Sequence, residues 1–218
     1  MLICLSNKLK SAFVLRDAQR LGIHCLTCGT PLRDLELPGV CEDNRGAMRL
    51  ALDYLAEKGH RRIALGLPKI NEPWVFERLE TYLRHMRDQR LEPLVHWTGG
   101  EITEEEAEQL YKALRAYQST AIIPAHVSAM QLLDRLVRAG RLSVPGDLSV
   151  VGFEQDHVER QYLGHPDGSR IVFPLKEMGH ELAVLTSRLI DGEIIDGRPV
   201  VLPSRLEAGT TVSPATVS

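Results

Sequence analysis

The sequence predicts an α/β protein whose strands pair in parallel and whose helices cover both faces of its sheets. Two observations predict it. Short apolar, strand-like runs alternate with longer segments of helical period almost from end to end. No internal repeat, low-complexity segment or long polar linker interrupts that alternation. Strands that alternate with helices pair in parallel, because each crossover helix returns the chain to the same end of the sheet.

From the amino terminus, residues 2–5 read as a buried strand and 8–21 as a helix with a loose stripe of Leu9, Ala12, Phe13 and Leu21. Residues 23–28 and 39–41 read as strands. Residues 44–58 form a strong helix, with Ala47, Leu50, Ala51, Tyr54 and Leu55 on one face and Gly59 as its stop. Then come a strand at 62–67, a helix at 75–89 and a strand at 94–97. The helix at 104–117 opens with Thr103-x-x-Glu106, a capping box. Its Glu104-Glu105-Glu106 start suits the positive end of the helix dipole, so these carboxylates read as a solvated first turn rather than a catalytic group. Next are a strand at 120–123, a helix at 127–139 and a strand at 148–153, the last entered through the turn Val144-Pro145-Gly146-Asp147. A short extended run at 169–173, a helix at 175–190 closed by Gly192, and extended pieces at 200–202 and 206–211 complete the chain.

Composition narrows the function. The 218 residues are 44% hydrophobic and 25% charged, enough for a sizeable core, and the formal net charge is −3. Duplex DNA selects a basic face, because binding releases counterions from phosphates, and no basic stripe is present. No run approaches the roughly 20 apolar residues of a membrane span. The apolar start Met1-Leu2-Ile3-Cys4-Leu5 has no basic residues before it and is too short for a secretion signal, which points to the cytoplasm. Cys25-Leu26-Thr27-Cys28 is formally C-x-x-C, but no second pair completes a zinc site and the run is strand-like. Cys4, Cys25, Cys28 and Cys41 therefore read as reduced structural thiols.

Motifs for enzymatic chemistry are missing: there is no G-x-G-x-x-G, P-loop, G-x-S-x-G or H-E-x-x-H. Neither a catalytic residue nor a metal or cofactor is implied, and His24, His85, His96, His157, His165 and His180 have no metal-ligand spacing. The segments just beyond the strands are more informative, since ligands of open α/β sheets bind outside the strands' carboxyl ends. After 62–67 come Trp74 and then Arg78; after 94–97, Ile102; after 120–123, Ala125 and His126; after 148–153, Glu154. An aromatic ring, a guanidinium, an imidazole and an acid would then share one rim, the make-up of a small-molecule site.

Several segments together resemble the LacI/GalR family of bacterial transcriptional regulators. Asp43-Asn44-Arg45-Gly46-Ala47 followed by Gly59-His60-Arg61-Arg62-Ile63-Ala64 is similar to that family's D-N-x-x-G-A and G-H-R-x-I-A. Arg78-Leu79-Glu80-Thr81-Tyr82 resembles its R-x-x-G-F/Y, and Val144-Pro145-Gly146-Asp147-Leu148-Ser149-Val150-Val151-Gly152-Phe153 its I-P-x-D-I-S-V-V-G-F. Glu177-Met178-Gly179 and Leu202-Pro203-Ser204-Arg205-Leu206 match two later segments, all in order.

The resemblance implies a two-lobed, type I periplasmic-binding-protein-like fold with the effector between doubly wound lobes and three crossing segments. Residues 1–61 and 174–196 would form a first lobe, and 62–168 and 199–218 a second. It assigns the effector oxygens to Arg78, whose planar fork suits hydroxyls or a carboxylate. Trp74 falls in the matching ligand loop, where it could stack on a sugar face. Ile102, His126 and Glu154 occupy site positions but depart from the family's residues: an aromatic, Asn-Asp (here Ala125-His126) and an aspartate. His60 would tie the end of its helix to a strand. The family's helix-turn-helix DNA-binding domain and its first two βα units have no counterpart in these residues. The first lobe would then be truncated at its amino terminus, with strand 2–5 left as an edge, in a fragment or a naturally short product.

The function so implied is the effector-binding and dimerisation region of a regulator. It senses a small polar ligand such as a sugar, forms a homodimer, and reaches operator DNA through a helix-turn-helix outside this chain. It is not an enzyme and makes no contact with a membrane. The rival is a solute-binding protein of a sugar transporter, which shares the fold.

Overall fold

The computed structural model describes residues 2–6, 12–31, 35–99, 101–154 and 163–215. Its contacts divide the chain into two compact units. The first comprises Met1–Asn44, Asn71–Phe76 and Pro174–Ser204; the second comprises Arg45–Ile70, Glu77–Phe173 and Arg205–Ser218.

The first unit is built from β1 (Leu2–Ser6), α1 (Ala12–Arg20), β2 (His24–Cys28), β3 (Gly39–Glu42), and later α6 (Leu175–Ile190) and β10 (Val200–Leu202). Its sheet has the order β1-β2-β3-β10, all parallel, with β1 at one edge. Successive side chains of a strand point to opposite faces, and β2 uses both. Cys25 packs with Leu15 and Ala18 of α1 and with Leu37. Leu26, its neighbour, packs with Val40 and with Met178 and Leu185 of α6. One strand thus carries a helix on each side, the doubly wound arrangement expected from the alternation. Burial raises the pKa of the Cys25 thiol.

The second unit begins with most of α2 (Asn44–Glu57) and continues through β4 (Ile63–Pro68), the greater part of α3 (Pro73–Asp88), β5 (Leu94–Thr98), α4 (Glu104–Tyr117), β6 (Ala121–Pro124), α5 (Val127–Arg138) and β7 (Ser149–Val150). Strand order is β5-β4-β6-β7, again parallel. Every residue of β4 is buried, as a central strand covered on both faces must be. Ala64 and Ile122 meet Ala107, Leu110 and Leu114 of α4 and Leu132, Leu133 and Leu136 of α5. Gly66 allows the closest approach of α5: a Cβ there would lie 2.6 Å from that of Ala129. Tyr82 of α3 is buried, its hydroxyl bonded to the Ile63 carbonyl at 2.8 Å and accepting from the Leu94 amide at 2.8 Å.

Three expectations change. The strand expected at 148–153 is two strands, because its partners switch at Val151. Val150 pairs with Ile122 of β6, whereas Gly152 opens β8 (Gly152–Glu154) and pairs with Arg170 of β9 (Arg170–Val172). The tail is extended as a strand only over β11 (Arg205–Glu207), which runs antiparallel to β9 and so departs from an all-parallel pattern. Contacts also place α2, assigned by the resemblance to the first lobe, mostly with the second unit.

His60 locks the tail to the sheet. It is 3% exposed; Nε2 lies 2.9 Å from the Ser213 carbonyl and Nδ1 3.0 Å from the Thr120 hydroxyl. A carbonyl only accepts, so Nε2 carries the proton and Nδ1 accepts from Thr120. Burial lowers the pKa of His60, and the bond to Ser213 offsets part of that. His85, His96 and His126 are lowered too, each chiefly by burial. The unfolded chain therefore binds protons near its ordinary imidazole pKa of about 6.5 that the folded chain refuses. Stability should be at its plateau above that value and fall as pH drops through it toward the lower folded values. The urea midpoint at pH 7, 6 and 5 measures this; a midpoint unchanged or rising over that interval contradicts it. His60→Ala should cost about 1–3 kcal/mol, the scale of leaving buried partners unpaired, and should shrink the pH dependence in the same titration.

Candidate functional site

The carboxyl ends of β4, β5 and β6 meet at one pole of the second unit's sheet. Backbone bonds fix their exits: Lys69 N donates to Thr98 O at 2.9 Å, and Ala125 N to Gly66 O at 3.0 Å. Side chains from α3, α5 and β8 are added to this frame.

Arg78 is the centre of the arrangement. It sits in the second turn of α3 and is 0% exposed. Its Nη1 donates to the Ala125 carbonyl at 2.6 Å. The guanidinium carbon lies 4.7 Å from the Phe153 ring centroid and 5.2 Å from that of Phe173. Those rings are 5.9 Å apart and tilted by 52°. Burying a cation costs several kcal/mol after relaxation. Two aromatic faces and a carbonyl offset that cost, since the negative face of each ring attracts the charge. The site residue expected from the resemblance is thus present, but as a buried cation.

His126 stands beside this group. It is the N-cap of α5, and Nδ1 accepts from the Ser128 amide at 3.2 Å and lies 2.8 Å from the Ser128 hydroxyl. An imidazole that accepts at Nδ1 must be neutral, with its proton on Nε2. Burial lowers its pKa and the positive charge of Arg78 lowers it further, so both effects hold the ring in the form the cap requires. The Ser128 hydroxyl lies 2.6 Å from that of Thr98, which donates to Leu67 O at 3.3 Å. A continuous polar thread therefore links the ends of β4 and β5 to the start of α5. Thr98 and Ser128 were not anticipated. The signal was available in Thr98 as the terminal residue of β5 and in Ser128 two positions after a cap, but histidine is not a usual N-cap.

The other expected residues fall elsewhere. Trp74 is half-buried and belongs to the first unit; it lies in α3 rather than in a loop, because Pro73 occupies the first helical position, where its missing N–H costs nothing. Ile102 is half-buried and packs against the core between α4 and α5. Glu154 ends β8, its backbone in register with Val172; its side chain and residues 155–162, with Asp156 and His157, lie outside the described residues. The capping box at α4 is half formed: Thr103 Oγ1 accepts from Glu106 N at 3.1 Å, but Glu106 Oε1 accepts from Gly99 N at 2.7 Å. The glutamate is drawn to the end of β5, and a Cβ on Gly99 would collide with it. Among the described residues no group of three or more His, Cys, Asp or Glu is placed to hold a metal ion.

Replacing His126 with alanine should remove the α5 cap and lower stability by about 1 kcal/mol, read from urea unfolding. His126→Asn, which keeps an acceptor at the cap, should recover most of the loss; equal losses would show that the ring's packing matters and the cap does not.

Residues 52–212 match the family model described as a periplasmic binding protein-like domain. The Escherichia coli K12 HTH-type transcriptional repressor CytR is 30% identical over 178 residues, covering 74% of this chain and 51% of its own length. The Streptomyces coelicolor HTH-type transcriptional regulator MalR is 36% identical over 200 residues, covering 82% and 53%. A solved complex of the transcriptional regulator CelR with cellobiose superposes with a TM-score of 0.77 at 25% identity, covering 97% of this chain and 65% of the other. The chain spans about half the length of the curated relatives it matches. The chain belongs to the periplasmic binding protein-like family, within the LacI/GalR group of regulators.

Proposed function

We propose that this chain is the effector-binding region of a cytoplasmic, homodimeric bacterial transcriptional regulator. It senses a small polar ligand such as a sugar, and it acts on operator DNA through a helix-turn-helix domain outside these residues. The observation that carries the reading is Arg78, held between Phe153 and Phe173 at the carboxyl pole of a parallel sheet. The relatives at 30% and 36% identity are named regulators, which favours this reading over a solute-binding protein of a transporter. CelR, a regulator of the same fold, is seen with a disaccharide, which supports a sugar-like effector.

In this proposal the effector takes hydrogen bonds from Arg78 and from the Nε2 proton of His126. A guanidinium has five N–H donors, so one fork can serve the Ala125 carbonyl and a ligand oxygen together. Donors of this kind suit hydroxyl or carboxylate oxygens. Effector binding would favour one lobe arrangement over another, a population shift read out by the spacing of DNA-binding domains in the dimer.

The test is a thermal-shift screen of sugars and sugar acids, followed by titration calorimetry of the ligand that responds. Arg78→Ala should weaken that ligand by about 1.5–3 kcal/mol, the scale of a hydrogen bond to a charged group. Because the substitution also removes a buried cation, Arg78→Lys is measured beside it; a folded Lys variant should bind more weakly than the parent. Unchanged affinity in a folded variant removes Arg78 from the site.

A further inference from the structure

The opposite pole of the second unit's sheet holds a cavity of about 450 Å³ lined by Arg62, Leu114, Arg115, Gln118, Ser119, Leu142, Asp147 and Leu148. Arg62 precedes β4, Ser119 precedes β6 and Leu148 precedes β7, so the cavity lies at the amino-terminal ends of these strands. The strand ends facing it are those remote from Arg78 and His126. Its size is that of a small-molecule site. We propose that it is a second ligand site, for a small organic monoanion: a carboxylate on an apolar ring or short alkyl body.

Each part of the lining argues for one part of that ligand. Leu114, Leu142 and Leu148 are buried and supply an apolar floor. Above them stand two guanidinium groups and one carboxylate, so the lining carries a net charge of +1 (two minus one). Asp147 is already engaged: its Oδ2 accepts from Ser143 N at 2.8 Å and from Ser143 Oγ at 2.6 Å, and these bonds, with the charge of Arg115, hold its pKa below the usual carboxylate range. The last turn of α4 adds roughly half a negative charge from its carbonyls. The lining can therefore neutralise at most a single negative charge, and a dianionic phosphate ester would exceed it.

One further feature points to an occupant. The Ser119 hydroxyl is buried with no hydrogen-bond partner among the described residues, a state that folded proteins generally avoid. Gln118 ends α4 in the left-handed conformation common at helix C-caps, and its Oε1 accepts from Arg62 Nη1 at 2.9 Å. That bond orients Arg62 on the rim.

The test uses benzoate as the probe, on the whole chain, with amide shifts followed by NMR. Benzoate should produce saturable shifts at Gln118, Ser119 and Leu148, with a dissociation constant in the millimolar range or tighter. Benzyl alcohol, which lacks the charge, and inorganic phosphate, which lacks the apolar body, should each bind at least about tenfold more weakly. Arg115→Gln changes only an exposed side chain and should weaken benzoate about tenfold while leaving the remaining spectrum in place. Shifts that do not saturate, that centre on other residues, or that persist unchanged in Arg115→Gln would overturn the proposal. So would an equal response to benzyl alcohol, or phosphate binding as tightly as benzoate.

Discussion

A buried guanidinium is the constraint on which the carboxyl pole of the second unit depends. Arg78 reaches that pole from α3, bonds the Ala125 carbonyl after β6, and takes one aromatic ring from β8 and one from the residue after β9. Three elements remote in sequence are thereby tied to one cation. The charge also acts on its neighbour: it helps keep His126 neutral, and a neutral His126 can cap α5. Loss of the cation would remove the reason for two phenylalanines to converge and would alter the chemistry of the adjacent imidazole. In the proposed function the same group meets the effector, so fold and sensing would share one residue.

The two poles of this sheet are built differently. At the carboxyl pole the contacts are a cation between rings and a chain of hydroxyls through Thr98 and Ser128. At the amino pole, His60 holds Thr120 and the tail at Ser213, and Tyr82 joins the starts of β4 and β5. Ser149 adds to this, its hydroxyl accepting from Ser213 N at 3.1 Å. Hydrogen bonds among neutral groups anchor the strand starts at one pole, beside the cavity lined by Arg62 and Arg115, while the other holds a buried cation between two aromatic rings.

Most of the fold was legible in the sequence, because its signals are local. The stripes and caps of α4 and α6 gave their limits as residues 104–117 and 175–190, the bounds observed. The alternation of strands with helices anticipated a helix on each face of the first unit's sheet. What was not legible depends on partners distant in sequence. Nothing within residues 148–153 marks Val151 as the point where the strand passes from β6 to β9. Nor does the Thr103–Glu106 spacing reveal that the glutamate turns to Gly99 instead of closing its own capping box. At the site, Arg78 and His126 were expected near one another, and the charge of Arg78 does reach His126. That Arg78 would be buried between Phe153 and Phe173 was not foreseeable, because both rings read simply as ends of apolar strands.

The central claim is that the Arg78 guanidinium is enclosed and faced by two rings in the resting protein. Side-chain NMR on arginine-labelled protein, with Arg78 assigned by substitution, tests it most directly. Enclosure predicts Nη protons that exchange slowly with water, together with side-chain resonances displaced by the ring currents of Phe153 and Phe173 and restored toward ordinary values in Phe153→Leu. Rapid exchange and the shifts of an ordinary solvent-exposed arginine would contradict it.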